Sequence, residues 1–227
     1  MAELKIALWN CSGHRASTGS TAHKVGFFDK EFPKANFAIA VFVETHHKDE
    51  TELPVMFQEY KNTHHILHTP TPPQHTHSGI IVAIRNDLQI ISHTVKIEGR
   101  LLNFVFRDTT SNKVYNFSAF YGPILKDVLK KDLSPIIKHF SQLHSGSDNN
   151  IIIGDFNFVD NDLDKGQGMD GHDKKMYALW EDLKDKIQVT DPFRDQFPNT
   201  RRYSYVNNKG KSRVDRIYVS NGEVNNV

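Results

Sequence analysis

The chain has 227 residues, of which 38% are hydrophobic, and no Pro/Gly/Ser-rich linker divides it, so we expect a single domain over residues 1–227. Its 28 Lys and Arg residues nearly balance 27 Asp and Glu residues, so any preference for nucleic acid must come from local patches. A single cysteine, Cys11, excludes an internal disulfide, and no apolar leader or membrane-length run is present, so we expect a reduced, intracellular protein that is not secreted.

Short apolar runs rich in Ile, Val, Phe and Tyr alternate with turn-like residues, which predicts strands. In chain order these runs are Leu4–Trp9, Phe37–Val43, Gly79–Ile84, Leu88–Ile91, Leu101–Phe106, Val114–Tyr121, Ile151–Ile153 and Val214–Val219. Helical periodicity occurs over Lys126–Leu143 and Lys174–Ile187, and a weaker helix is expected near Thr21–Phe32. This order of elements favours an α/β sandwich in which helices cover two sheets.

A histidine-rich segment lies between the second and third predicted strands. It reads "HHILHTPTPPQHTH" and contains three prolines together with His64, His65, His68, His75 and His77. Imidazoles can bind transition metals, but no helix with suitable ligand spacing supports such a site, and prolines favour an exposed loop. We therefore expect an exposed loop without a dedicated metal site.

An acid and an amide follow the predicted strand of three consecutive isoleucines. Gly154, Asp155, Phe156 and Asn157 come directly after Ile153, and strand alternation would place Asp155 and Asn157 on one face. A strand end can aim a carboxylate into a cleft, but an Asp/Asn turn that caps a buried strand explains this fragment equally well.

Other predicted strands end in the same way. Asn10, Glu44 and Tyr121 stand at the ends of three of them, and Asp215 lies in the last. Turn chemistry alone does not explain so many polar strand ends. Carboxylates that bind a hard cation or take a proton from water, with amide and phenol groups that bond phosphate oxygens, are the groups needed for metal-assisted phosphodiester hydrolysis.

Five motifs occur in order over nearly the whole chain: "LWNCSG", "FVETHH", "FYGP", "IIIGDFN" and "SRVDRIYVS". They resemble those of the endonuclease/exonuclease/phosphatase superfamily, which includes DNase I and the exonuclease III-type abasic-site endonucleases. The resemblance implies the DNase I-like fold, a four-layer α/β sandwich with two packed mixed β-sheets flanked by helices. It also implies a metal-dependent enzyme that cleaves phosphodiester bonds in double-stranded DNA.

The resemblance gives each motif residue a role. Glu44 would bind the metal, Mg²⁺ with Mn²⁺ as an alternative, and Asn10 would orient the metal site or a phosphate oxygen. Asp155 would orient or deprotonate the attacking water, and Asn157 would bond the phosphate. Tyr121 would donate to the scissile phosphate, and Ser204 would contact a phosphate at the start of a hairpin. Asp215 would orient a catalytic histidine.

The expected catalytic histidine is not found. Members of this superfamily end their active site with Ser-Asp-His, whereas this sequence ends in "NGEVNNV" at Val227. We expect that the sequence is a piece of a longer protein, because every other motif is present. The alternative is a site that is incomplete by design, in which case the chain would be a catalytically silent DNA-binding module.

Within the superfamily, the sequence most resembles the endonuclease domain of non-LTR (LINE-type) retrotransposons. The segments "LDKG" and "VTDPFRDQFPNTRRYSYV" and the Met1 start directly before the first strand carry this likeness. It implies a nick whose 3′-hydroxyl primes reverse transcription, a reverse transcriptase domain downstream in the same polyprotein, and a nuclear location. An abasic-site repair endonuclease of the same superfamily is the alternative.

Basic residues surround the predicted strand Tyr203–Val206 and the "NNKGK" turn, which is typical of a hairpin. Charge on a solvated edge strand would prevent sheet pairing. We favour a hairpin that enters a DNA groove and contacts phosphates, formed by Arg201, Arg202, Lys209, Lys211, Arg213 and Arg216. Lys165 and Lys24 are weaker candidates. His14, His46 and His47 lie nearer the expected cleft, where phosphate contact and simple surface position explain them equally well.

Overall fold

The computed structural model describes residues 4–12, 35–53, 57, 60–75, 77–123, 136–142, 149–208 and 210–221. The predicted helix Thr21–Phe32, most of Lys126–Leu143, and the candidate residues His14, Lys24 and Lys209 lie outside these ranges. The chain divides into two compact units, Met1–Lys113 and Val114–Val227, and the expected single domain stays a prediction.

The first unit contains a mixed four-stranded sheet in the order β1-β2-β4-β3. β1 runs parallel to β2, and the other pairs are antiparallel. The bounds of these strands are β1 Ile6–Asn10, β2 Ile39–Val43, β3 His64–Thr69 and β4 Ile80–Arg85. Two further strands, β5 (Leu88–Ile97) and β6 (Leu101–Asp108), pair antiparallel.

The sequence of β2, IAVFV, is apolar on both faces, and all five of its residues are buried, as expected of a central strand. One face packs into a core cluster built around Phe42, Phe57 and Ile81. The rings of Phe42 and Phe57 meet edge to face at 4.9 Å. This packing fixes the end of β2, where Glu44 follows.

The expected loop over the histidine-rich segment is wrong for its first part. His64–Thr69 forms strand β3, which pairs with β4 at the edge of the sheet. Ile66 packs against the core cluster, whereas His65 is exposed, as the period of a half-buried strand requires. The prolines lie after the strand, so they limit its length without preventing it.

The second unit also contains a mixed sheet. β7 (Val114–Tyr121) and β8 (Asn149–Asp155) are parallel, and β12 (Asp215–Ser220) runs antiparallel to both β8 and β9 (Val189–Thr190). β10 (Tyr205–Asn207) and β11 (Gly210–Ser212) form a separate hairpin, as predicted. The described helices are α1 (Gly171–Ile187), α2 (Pro192–Gln196) and residues 136–141.

Helix α1 begins three residues before its predicted start because Asp170 and Asp173 form a reciprocal capping box. Its buried face includes Trp180, which joins an aromatic core with Phe156 and Tyr218 at ring distances of 5.0–5.2 Å. This core lies directly behind the end of β8. No helix in the described ranges is long and apolar enough to cross a membrane.

Gly154 permits the close approach of β7 and β8. A Cβ atom at this position would lie 1.8 Å from the carbonyl oxygen of Phe120, so any side chain would force the two backbones apart. The glycine is therefore a packing requirement one residue before Asp155.

Candidate active site

The first unit brings one carboxylate and two imidazoles together. The Glu44 cluster consists of Glu44, His46 and His77, a possible metal-binding group. His46 Nε2 lies 3.5 Å and His77 Nδ1 lies 3.9 Å from Glu44 Oε1, and the two imidazole nitrogens are 3.4 Å apart. Neither His46 nor His77 was predicted as a partner of Glu44. His77 lies 31 residues after His46, and no spacing motif in the sequence joins the two histidines.

Asn10 supports this cluster through a hydrogen bond from its side chain to the Glu44 carboxylate. Its Oδ1 accepts from the backbone N–H of Ser12 at 2.9 Å, which holds the amide in place at the end of β1. The expected role of Asn10 in orienting the metal site stays a prediction. Its role as a direct metal ligand stays a prediction.

The charge state of Glu44 depends on these neighbours. Burial would raise the pKa of the Glu44 carboxyl, but hydrogen bonds from His46 and Asn10 outweigh burial and lower the pKa below its ordinary value. The side chain is 16% exposed, so an ionised carboxylate stands at a partly open position. Such a carboxylate can bind a cation at neutral pH.

Two of the three cluster residues have left-handed backbone conformations. Glu44 has φ 55° and His46 has φ 57°, a region that residues other than glycine rarely adopt and that costs about 1–3 kcal/mol per residue. The turn that follows β2 is therefore held by its surroundings. Strain of this kind is concentrated at functional sites.

The second unit places three candidate residues in register across three neighbouring strands. The Asp155 row consists of Tyr121, Asp155 and Asp215: Tyr121 pairs with Asp155 across β7 and β8, and Asp215 pairs with Asp155 across β12 and β8. Residues paired in this way share one face of the sheet. Tyr121 is fully buried and Asp155 is 3% exposed.

Two carboxylates directly opposite each other destabilise a sheet. Packing alone therefore does not account for Asp215 opposite the nearly buried Asp155. A pair of this type can share a proton or bind positive charge. The expected role of Asp155 in orienting or deprotonating water stays a prediction.

Asn157 lies beside Asp155, but not through strand alternation as predicted. β8 ends at Asp155, and Asn157 adopts φ 55° in the turn that follows. Its backbone N–H donates to Asp155 Oδ1, and its side-chain Nδ2 donates to the carbonyl of Gly122, both at 2.8 Å. The side-chain amide therefore joins two loops at this sheet edge, and the backbone N–H orients the Asp155 carboxylate. Its contact with phosphate stays a prediction.

Ser204 connects the hairpin to the Asp155 row. Its Oγ accepts from the backbone N–H of Asp215 at 3.1 Å, and its own N–H donates to the carbonyl of Ser212 at 3.0 Å. The residue is exposed. Phosphate binding by Ser204 stays a prediction.

The candidate DNA-binding cations fall into two groups. Arg201, Arg202 and Lys211 are exposed around the hairpin. By contrast, Arg213 is 5% exposed, and its guanidinium donates to both carboxylate oxygens of Asp164 at 2.8–2.9 Å and to Asp191 at 2.6 Å. The expectation that Arg213 contacts DNA is therefore corrected: the residue is part of a buried ion-pair network.

Arg216 and Lys165 also have internal partners. Arg216 is 2% exposed, stacks over Phe156 at 4.6 Å and pairs with Asp160 at 3.2 Å. Lys165 Nζ donates to Asp170 at 2.7 Å and to Asp173 at 2.5 Å. Their cations thus serve the structure of the second unit, and a DNA contact by Lys165 is not supported by its position.

Residues of the segments "LDKG" and "DPFR" form one network of ion pairs and hydrogen bonds that supports the hairpin. Arg194 joins the network by pairing with Asp164, and Asp191 both caps α2 and binds Arg213. The backbone N–H of Gly166 donates to the carbonyl of Lys211 at 2.9 Å. Alternating acids and arginines were the sequence signal for this network, but which acid binds which arginine depends on the fold.

Comparison with known proteins places these observations in a family. The model of the endonuclease/exonuclease/phosphatase family matches residues 7–227. The chain belongs to that family. No curated protein sequence is significantly similar to it.

Solved structures share the fold at low identity. The chain is similar to the AP endonuclease LMAP from Leishmania major, with a TM-score of 0.74, 15% identity, and coverage of 96% of this chain and 79% of that one. An AP endonuclease from Archaeoglobus fulgidus has a TM-score of 0.72 and 14% identity, with 98% and 88% covered. The 3′–5′ exonuclease NExo from Neisseria meningitidis has a TM-score of 0.71 and 14% identity, with 97% and 88% covered.

These findings confirm the predicted superfamily and the DNase I-like α/β fold class. Two mixed sheets, as expected for that fold, are present among the described strands. The membership places the chain among nucleases and phosphatases, and the Glu44 cluster provides a possible site for a divalent cation.

Proposed function

We propose that this chain is a divalent-metal-dependent phosphodiesterase that nicks one strand of double-stranded DNA. The observation that carries the proposal is the Asp155 row, in which two carboxylates and a tyrosine stand in register on three strands. Opposed carboxylates cost folding free energy, so their presence in a rigid sheet supports a catalytic use.

The candidate residues are suited to different parts of the reaction. Glu44 is the carboxylate that holds the cation, and Asn10 fixes its orientation. A divalent cation, Mg²⁺ or Mn²⁺, supplies Lewis-acid stabilisation of charge on phosphate oxygens. Asp155, oriented by the backbone N–H of Asn157, positions or deprotonates the attacking water, and Tyr121 donates to the phosphate.

Duplex DNA as the substrate is supported by the hairpin β10–β11. Lys211, Arg201 and Arg202 are exposed there, although the whole chain carries a net charge of only +1. Tyr205 is 51% exposed and offers an aromatic surface beside these cations. A basic, protruding hairpin is suited to contact the phosphates that border a groove.

The finer proposal is a nick made for a non-LTR retrotransposon. The 3′-hydroxyl would prime a reverse transcriptase domain encoded downstream in the same polyprotein, and the reaction would take place in the nucleus. Its support is the likeness of "LDKG" and "VTDPFRDQFPNTRRYSYV" to LINE-type endonuclease domains. Abasic-site cleavage is the second candidate, favoured by the shared fold with two AP endonucleases.

A nicking assay tests these proposals together. Supercoiled plasmid, an abasic duplex and a small phosphoester are incubated with the chain in Mg²⁺ or Mn²⁺, with and without chelator. Metal-dependent relaxation of intact plasmid, lost in Asp155→Asn and kept in the exposed control Asp182→Asn, is the expected result. Preference for the abasic duplex would favour the repair function, and binding without cleavage would leave a silent DNA-binding module.

A further inference from the structure

The Glu44 cluster contains nitrogen donors that a site for Mg²⁺ alone does not need. Mg²⁺ prefers oxygen ligands in octahedral geometry and retains several waters. Here, two imidazole nitrogens approach the same oxygen of one carboxylate. It is a group of three possible metal ligands within the described part of the chain, and its atoms all lie within 4.8 Å of one another.

We propose that Glu44, His46 and His77 form a three-ligand site that binds Zn²⁺, or a similar late first-row divalent cation, more tightly than Mg²⁺. The inference rests on the proposed function for what the ion does, but not for its binding. It adds two ligands, His46 and His77, and a preference of metal to the carboxylate already assigned.

The spacing of the donor atoms fits one ion. Ligands about 2.0–2.1 Å from a tetrahedral zinc ion lie about 3.3–3.5 Å from one another. The observed separations between the donor atoms are 3.4, 3.5 and 3.9 Å. An ion at the centre of this triangle therefore needs side-chain movements of only a few tenths of an ångström.

The ligand set determines which ions the site prefers. Imidazole nitrogen suits zinc, copper, iron and nickel, whereas carboxylate and water suit magnesium and calcium. Two histidines and one glutamate are a combination that catalytic zinc sites use, with the fourth position left to water or substrate. His77 is 60% exposed, so the open position can face solvent.

The backbone holds the two chain segments together before any ion binds. The N–H of Thr45 donates to the carbonyl of Gly79 at 3.2 Å, and the N–H of His46 donates to the carbonyl of Ser78 at 2.9 Å. Gly79 has φ 96°, and a Cβ there would lie 2.5 Å from Thr45 Oγ1. This contact brings His77 to Glu44, so little ordering remains to be done on binding.

A simpler explanation is an ion pair between a protonated histidine and Glu44. That arrangement needs only one imidazole next to the carboxylate and predicts no special affinity for Zn²⁺. The structure instead places both rings together, with centroids 5.0 Å apart and nitrogen atoms facing each other at 3.4 Å. Three donor atoms from three side chains therefore surround one point, which is the arrangement that a shared cation requires.

The test is calorimetric titration of the full chain with Zn²⁺ and separately with Mg²⁺, in wild type, His46→Ala, His77→Ala and the control His75→Ala. His75 lies in the same loop as His77, so it accounts for weak zinc binding by the other histidines of the chain. We expect one Zn²⁺ bound tightly by wild type and by His75→Ala. Loss of either ligand should weaken Zn²⁺ binding by about 10–100-fold or more and change Mg²⁺ binding much less.

Folding is followed by circular dichroism, and His46→Gln replaces His46→Ala if the latter unfolds. Equal Zn²⁺ affinity of wild type and folded His77→Ala would overturn the inference, as would equal affinity of wild type for Zn²⁺ and Mg²⁺. Magnesium-supported nicking without ligand-dependent zinc binding would leave the proposed function intact and remove this inference. Zinc binding through the two histidines without any phosphodiesterase activity would support this inference and contradict the proposed function.

Discussion

The Asp155 row and the Glu44 cluster are built in different ways. In the second unit, Tyr121, Asp155 and Asp215 are side by side because three paired strands put them there. In the first unit, the turn after β2 meets the loop before β4 through two backbone hydrogen bonds. Strand pairing fixes the row, whereas a contact between a turn and a loop fixes the cluster.

The burial of the two groups shows the same difference. Tyr121 and Asp155 are almost inaccessible, and Phe156, the residue after Asp155, packs against the rings of Trp180 and Tyr218. His77 is 60% exposed at the edge of a loop. A group that orients water benefits from fixed geometry, while a group that loads and releases an ion needs an accessible position.

The largest expected effect follows from removing one carboxylate from each region. Glu44→Gln and Asp155→Asn should each lower the nicking rate by about 10²–10⁴-fold, since one weakens the metal site and the other removes the group that handles water. Raising the metal concentration should partly restore Glu44→Gln and should not restore Asp155→Asn. The measurement is the nicking rate against metal concentration for both variants.

Asp182→Asn, an exposed change on α1, is the control for this pair. Equal recovery of both variants at high metal concentration would remove the distinction between the two regions. A folded Asp155→Asn variant with the wild-type rate would remove the row from the reaction altogether.

The ion-pair network of Arg213, Asp164 and Asp191 should contribute to the stability of the second unit. Arg213→Met leaves Asp164 and Asp191 without their main partner, which should lower the free energy of unfolding by about 3–5 kcal/mol. Lys211→Met, two residues away and exposed, should change it by less than about 0.5 kcal/mol. Urea unfolding measures both changes in free energy. Similar changes for Arg213→Met and Lys211→Met would contradict the buried structural role of Arg213.

Acid should reveal a second buried ion pair in the second unit. Burial would raise the pKa of the Asp160 carboxyl, but the charge of Arg216 and the hydroxyl of Tyr218 lower it below the ordinary value. A depressed pKa stabilises the fold above the unfolded-state pKa of about 3.9, and this contribution is lost as the pH falls through the native pKa. Asp160→Asn should therefore lower the free energy of unfolding by about 1.5–3 kcal/mol at neutral pH. The difference in this free energy between variant and wild type should become smaller below about pH 5.

The matched control is Asp87→Asn in the first unit, where Asp87 pairs with Arg85 and its own side chain is 53% exposed. Loss of such a pair should cost no more than about 1 kcal/mol. Unfolding followed from pH 7 to pH 3 makes the comparison. A difference between wild type and Asp160→Asn that does not change with pH would contradict the assignment of the ion pair.

The smallest expected effect concerns the hairpin. Lys211→Met should reduce the salt dependence of duplex binding by about one ion and weaken binding similarly on all sequences, because a phosphate contact carries no base information. Lys186→Met on α1 provides an exposed lysine of the same chemistry outside the hairpin. The measurement is the slope of the logarithm of the duplex-binding constant against the logarithm of salt concentration. Equal slopes for the two variants would show that the hairpin is only a protected sheet edge.

The difference between the regions also explains what the sequence could predict. Polar residues at strand ends led to Asp155, Tyr121 and Asp215, because short apolar runs mark strands locally in the sequence. His77 was missed because a loop contact over 31 residues leaves no period in the sequence. The role of Arg213 was misjudged for a related reason: a basic residue next to a hairpin can point outward or inward, and only the positions of Asp164 and Asp191 decide which.

The central proposal is that the Glu44 and Asp155 carboxylates are both required for the same metal-dependent reaction. A double-variant cycle tests it most directly, with kcat/KM for plasmid nicking measured in wild type, Glu44→Gln, Asp155→Asn and the combined variant. Groups that act as one unit are strongly non-additive, so the combined variant should be no slower than about the worse single variant. A combined loss equal to the product of the two single losses would contradict the claim.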